Sequence, residues 1–152
     1  MIAVIKGDIV ASRKMDSQEI WLKPLKSILS QWGETPKDWE LAWGDSFQLQ
    51  IENPSEALHK AIAIKTRLKK LEVDARMAIG LGERTYHGQK VSESNGPAFI
   101  YSGEQFEKLK KEKVNLAVKS PWPDFNVEIN LYLKLGGFIM DNWTVSSAEI
   151  MQ

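Results

Sequence analysis

The chain has 152 residues, 20 basic and 20 acidic side chains, no formal net charge and no cysteine. That length suits one domain able to bury a sizeable core. The charge balance offers no broad surface for nucleic acid or an anionic membrane, and the missing cysteine excludes disulfides and thiol chemistry. No stretch approaches the roughly 20 apolar residues of a membrane span, and the apolar run in "MIAVIKGDIVASRK" is too short for a signal peptide and is interrupted by Asp8. The expected location is the cytoplasm.

Ile2 to Ile5 is a continuous β-branched run that suits a central strand, stopping at Lys6-Gly7-Asp8. "SQEIWLKPLKSILSQWG" then places Trp21/Leu22, Leu25, Ile28/Leu29 and Trp32 at helical spacing, with Pro24 inside the pattern and Gly33 as a C-cap. "ELAWGDSFQLQ" reads as a hairpin. Leu41 and Trp43 share one face of its first strand, Phe47, Leu49 and Ile51 one face of its second, and Gly44-Asp45 fits a two-residue type II′ turn.

Asn53 and Pro54 start the next helix, whose stripe is Leu58, Ala61/Ile62, Lys65, Leu68 and Leu71. "DARMAIGLGE" is a strand with Met77, Ile79 and Leu81 on one face and a thin face of Ala78, Gly80 and Gly82. A polar loop follows, then a short helix over "YSGEQFEKLKKEK" capped by Ser102, a strand over "VNLAVKS", and a break at "PWP". Residues 127–135 fit both a strand alternation and a helix. The order βα-ββ-αβ-αβ predicts an α+β fold, a ferredoxin-like mixed sheet with helices on one face.

Two carboxylates stand out. Asp8 follows a buried strand, where a charge is costly unless it is paired or bound to metal. Asp45 sits at the hairpin tip beside it in such a sheet. Two neighbouring carboxylates repel, and a divalent cation resolves that repulsion. Equally, Asp8 fits a capping role and Asp45 a plain turn residue. His59 and His87 read as surface histidines, and "RLKKL" and "KLKKEK" as solvated helix faces. Trp21, Trp32 and Trp43 fit the core, whereas Trp39, Trp122 and Trp143 are candidates for an interface.

"IKGDIVASRK", "WGDSFQLQ", "RMAIGLGE", "SNGPAFIYSGEQFEKLKK" and "NLYLKLGGFIMDNWTVSSAEIM" follow in this order. Together they resemble the bacterial SatD family, which in turn is similar to the nucleotidyl-cyclase and GGDEF palm-like fold. The resemblance implies a cyclase-type α+β domain over residues 1–120. It also implies a C-terminal helical extension over 121–152, with 127–135 helical, leading to a helix-turn-helix beyond residue 152.

Carried over residue by residue, Asp8 and Asp45 would bind metal, Ile9 would offer its carbonyl, and Mg²⁺ would be the ion. Ser12 and Arg13 would lie in a phosphate-binding loop, and "GPAF" would aim Ser94 and Asn95 at the same cleft. The chain departs from the cyclase pattern: no arginine follows Asn95 at the expected place, and "WELAW" stands where a base-reading lysine belongs. Losing one transition-state stabiliser costs about 10²–10³ in rate. The expectation is therefore a regulatory domain binding a nucleotide-like phosphate ligand. It would act as a homodimer and reach DNA only through a region beyond residue 152. The alternatives are a metal-dependent nucleotidyl- or phosphoryl-transfer enzyme and a ligand-free oligomerisation scaffold.

Overall fold

The computed structural model describes residues 1–10, 19–42 and 44–141, with the side chains of 137–141 excepted. The elements in chain order are β1 (Ile2–Val10), α1 (Glu19–Ser30), β2 (Trp39–Ala42), β3 (Ser46–Ile51), α2 (Ala57–Lys69), β4 (Asp74–Gly82), α3 (Pro97–Glu112), β5 (Leu116–Lys119) and α4 (Pro123–Asp141). They form an α+β unit around one five-stranded mixed sheet of order β2-β3-β1-β4-β5. β1 is antiparallel to both β3 and β4, and β4 is parallel to β5.

The alternation of β1 sorts the two faces. Ala3, Ile5 and Ile9 join Leu49, Ile51, Met77, Ile79, Leu116 and Val118 in the larger core, closed by Trp21, Leu25, Ile28 and Leu29 of α1 and by Ala61, Ile64 and Leu68 of α2. Each fully buried large apolar side chain contributes about 1.5–3 kcal/mol. Ile2 and Val4 point the other way, toward Ala98 and Phe99 of α3. Farther along that face Ala78 and Ala117 meet Phe106 and Leu109. The expectation of helices on one face is corrected: α3 covers the second.

The thin face of β4 explains why. A Cβ on Gly80 would run into the carbonyl oxygen of Ala98 and stand 2.5 Å from Ser102 N; one on Gly82 would stand 2.9 Å from Ala98 N. The missing side chains are what lets the α3 backbone approach the sheet. "GPAF" is accordingly not a loop. Gly96, at φ 136°, precedes the helix, Pro97 takes a first-turn position, and Ser102 lies mid-helix, fully buried, donating to Phe99 O at 3.0 Å instead of capping.

Three further expectations change. β1 does not stop at Lys6 but continues to Val10. At Gly7 a Cβ would stand 2.7 Å from the Phe47 ring and 2.8 Å from Arg76 O, so glycine admits close packing there without ending the strand. The hairpin pairs Ala42 with Ser46, giving a three-residue connection at 43–45, and Gly44 has φ 71°. Trp43 lies outside the described residues. Trp39 is a core residue, its indole N–H donating to Gly33 O at 3.2 Å.

α4 resolves the 127–135 ambiguity as helix. It lies along the free edge of β5 with Leu133 turned into the larger core. The Asn130 amide donates to Val118 O and accepts from Val118 N–H, both at 2.8 Å; the Asn126 amide does the same at Ser120, each at 2.9 Å. Among the described residues no helix is long and apolar enough to cross a membrane.

Candidate functional site

The register of the central strands decides what meets at the far end of β1. Asp8 pairs with Ser46 of β3 on one side and with Arg76 of β4 on the other. The next backbone amide, Ile9 N–H, donates to Asp45 O at 3.0 Å. This bond ties the hairpin tip to β1, so Asp8 and Asp45 are neighbours, as a mixed sheet of this order requires.

Arg76 stands on the other side of Asp8. Its Nε donates to Asp8 Oδ1 at 3.1 Å and its Nη2 to Asp8 Oδ2 at 2.7 Å, a fork-to-carboxylate pair. Both side chains are half-buried. The hydrogen bonds that Arg76 donates to Asp8 raise its pKa above the ordinary value; burial opposes this, and the charges of Asp8 and Asp45 add to it. One guanidinium thus feels both carboxylates. Sequence reading missed Arg76. A register with Ile2 opposite Gly82, as found, puts Arg76 opposite Asp8, so the charged residue near the start of "DARMAIG" was the available signal.

The remaining site residues fall elsewhere. Ser12 and Arg13 lie outside the described residues. Ile9 presents its side chain to the larger core. Ser94 and Asn95 sit by the opposite end of β4, beyond Gly82, about six strand residues or roughly 20 Å from Asp8. Ser94 is buried, and its Oγ accepts from Gly88 N–H at 2.9 Å. Asn95 pairs with Tyr86, and its Oδ1 accepts from Gly96 N–H at 2.8 Å. Their hydrogen bonds fold the 83–96 loop back on itself, and they do not line a cleft with Asp8.

That loop carries a second polar cluster. The buried Gln50 amide nitrogen faces Lys37 O at 3.2 Å, Asp38 Oδ1 at 3.3 Å and His87 Nε2 at 2.8 Å. Its Oε1 accepts from Arg84 Nη1 at 3.2 Å. With the Lys37 and Asp38 oxygens on one side and a guanidinium on the other, the amide has one orientation.

An Mg²⁺ ion tests poorly against these residues. Both Asp8 oxygens already receive guanidinium N–H groups, and no group of three or more acidic, histidine or cysteine side chains converges among the described residues. The chain matches no protein-family model and no curated protein.

Proposed function

We propose that the chain is a SatD-like regulatory domain on a ferredoxin-like, nucleotidyl-cyclase-type sheet. It binds a nucleotide-like phosphate ligand at the Asp8–Asp45 end and signals to a DNA-binding part beyond residue 152. The order β2-β3-β1-β4, with β1 antiparallel to both neighbours, supports the fold. The observation that carries the site is the convergence of Asp8, Asp45 and Arg76 where β1 leads into residues 11–18, a segment containing Ser12, Arg13 and Lys14. Asp8 engages two donor positions of Arg76, leaving Nη1 as a donor for a phosphate oxygen. A sensor is favoured over an enzyme because Ser94 and Asn95 sit far from the carboxylates, where they cannot orient a substrate held there.

Thermal melting with ATP, GTP and tripolyphosphate, each with EDTA and with Mg²⁺, tests this. A ligand at 100 times its Kd adds about 2.7 kcal/mol, which at this chain length raises the melting midpoint by roughly 5–10 °C. Arg76→Gln should remove most of the shift. No shift with any phosphate compound under either condition overturns the reading.

A second reading, an oligomerisation module, is favoured by α4. Val127, Leu131 and Leu135, four residues apart, are 74%, 56% and 65% exposed in one line. The occupant proposed for that line is a second copy of the chain. A monomer by light scattering at 100 µM, roughly the regime of weak association, would remove it, as would a dimer unaffected by Leu131→Glu.

A further inference from the structure

We infer that the groove between α3, β5 and α4 binds an amphiphilic anion: a small molecule with an apolar body and one carboxylate head. The groove shares no residue with the Asp8–Asp45 end, so this inference and the phosphate reading fail separately.

The chain directions lay the groove out. Asn126 is fastened to Ser120 and Asn130 to Val118, so α4 runs back along β5 and carries Lys134 one turn further, toward Leu116. On α3, Glu104 pairs with Lys119 at 3.3 Å, which sets the neighbouring Gln105 at the Lys119 end. Lys108, Leu109 and Glu112 follow from Gln105 at spacings of three, four and seven residues, so all four share one helix face, and all four line the groove. The groove has a volume of about 500 Å³, within the range of roughly 300–1,000 Å³ usual for small-molecule sites. At 1.5 Å per helical residue, the stretch of α4 from Asn126 to Lys134 is about 12 Å long.

The lining is apolar along its middle. Leu109, Leu116, Ala117 and Val118 are buried side chains that border it, and Val127 and Leu131 of α4 form its exposed wall. An apolar body laid there takes those two side chains out of water.

Two polar features define the rest of the ligand. Gln105 is only 8% exposed, and among the described residues its amide has no hydrogen-bond partner. A buried amide needs a partner, and one that borders a groove finds it in whatever fills the groove. The second feature is charge. Lys119 is already engaged, by Glu104 and by the Tyr101 ring. Lys108 and Lys134 are exposed and form no ion pair among the described residues, and Glu112, the one acid of the lining, pairs with neither. Two ammonium groups against one carboxylate leave the Leu116 end of the groove positive, which draws an anionic head to that end. The Gln105 amide then meets the far part of the body, where it favours a hydroxyl over a methyl group.

Amide NMR titrations with four probes test this. Decanoate should shift the Ala117, Val118 and Leu131 signals saturably, with a Kd of roughly 1 mM or below. 10-Hydroxydecanoate should bind about three- to tenfold tighter, and Gln105→Leu should abolish that preference. Acetate, a head without a body, and decyltrimethylammonium, a body with the opposite charge, should leave these signals in place. Lys108→Ala/Lys134→Ala changes two exposed side chains, so the fold is kept, and it should weaken decanoate about five- to tenfold. The inference is overturned if neither carboxylate gives a saturable shift, if decyltrimethylammonium binds as well as decanoate, or if the double lysine variant keeps wild-type affinity. Equal affinity for the two carboxylates would remove Gln105 from the site. A dilution series without any probe completes the test: movement of the same signals would put a second copy of the chain in the groove and overturn the inference, whereas signals that stay still support it.

Discussion

Lys65 Nζ lies 2.7 Å from Asp74 Oδ1, and the lysine side chain has no surface left to solvent. The ammonium is also 3.4 Å from Ala75 O, and Asp74 Oδ1 accepts from Ala75 N–H at 2.7 Å. The pair fastens α2 to the first residue of β4. Removing one member of a buried pair strands the other, at about 3–5 kcal/mol. Urea unfolding should show Asp74→Ala destabilised by that amount, because the charge it leaves behind is the wholly buried Lys65 ammonium, and Lys65→Ala by less, since Asp74 keeps Lys69 at 3.3 Å. Lys65→Met/Asp74→Leu should recover most of the loss; a double variant as unstable as the single ones would contradict the assignment.

Glu56 and Lys60, four residues apart where the short turn at Pro54–Glu56 becomes α2, form a pair at 2.9 Å. The hydrogen bond from Lys60, then its charge, lowers the Glu56 pKa below the ordinary glutamate value. A lowered carboxylate contributes stability that is complete above the ordinary glutamate range and is lost as pH falls through its own titration. The contribution is small on an exposed pair. Arg76 shifts the other way, so its share persists to strong alkali and adds no slope near neutrality. A carboxyl NMR titration should place the Glu56 midpoint below that of a free glutamate, and Lys60→Met should return it.

The two glycines Gly80 and Gly103 respond oppositely to the same change. Gly80→Ala forces a methyl group against Ala98 O and Ser102 N of α3 and should cost about 1–3 kcal/mol by overpacking. Gly103 lies inside α3, and a methyl group added there would meet nothing within 4 Å, so Gly103→Ala should stabilise by roughly 0.5–1 kcal/mol through helix propensity. Thermal melting of the two variants checks both signs. Equal effects would mean that α3 does not approach β4 as described.

Gln50 ties two loops to β3, because its side chain reaches Lys37, Asp38, His87 and Arg84. Gln50→Leu leaves those partners without it and should cost about 1–3 kcal/mol. Hydrogen exchange should speed up at Val91 and Asn95, whose amides belong to the loop it secures. Protection at these amides unchanged in the variant would show that the loop holds without it.

The element order, the strand faces and the adjacency of Asp8 to the hairpin were legible in the sequence. β-Branched runs, the 3.6-residue stripes and Gly44-Asp45 are local signals, and each acts within a few residues. What escaped depends on partners far apart in the chain. Lys65 was placed in the buried stripe of its helix, but the carboxylate that answers its charge, Asp74, is visible only once α2 packs on β4. Arg76 needed the β1–β4 register, 68 residues of separation, to become the partner of Asp8. The first turn of α3 was hidden because Gly96 and Pro97 mark a loop as readily as a helix entry, and only the bare face of β4 shows which. Trp39 was judged by its residue type, while its burial comes from its register opposite Leu49.

The amides of Asn126 and Asn130 impersonate a sixth strand. Each offers one donor and one acceptor to the β5 edge, at Val118 of the strand and at Ser120 one residue past its end, at the spacing an incoming chain would use. A helix thereby finishes the sheet on that side. An open border strand is a template on which foreign segments or sibling molecules can nucleate runaway stacking. Here the seat is already taken by two side chains of the same polypeptide, so α4 guards the molecule against templated self-assembly as long as it stays docked.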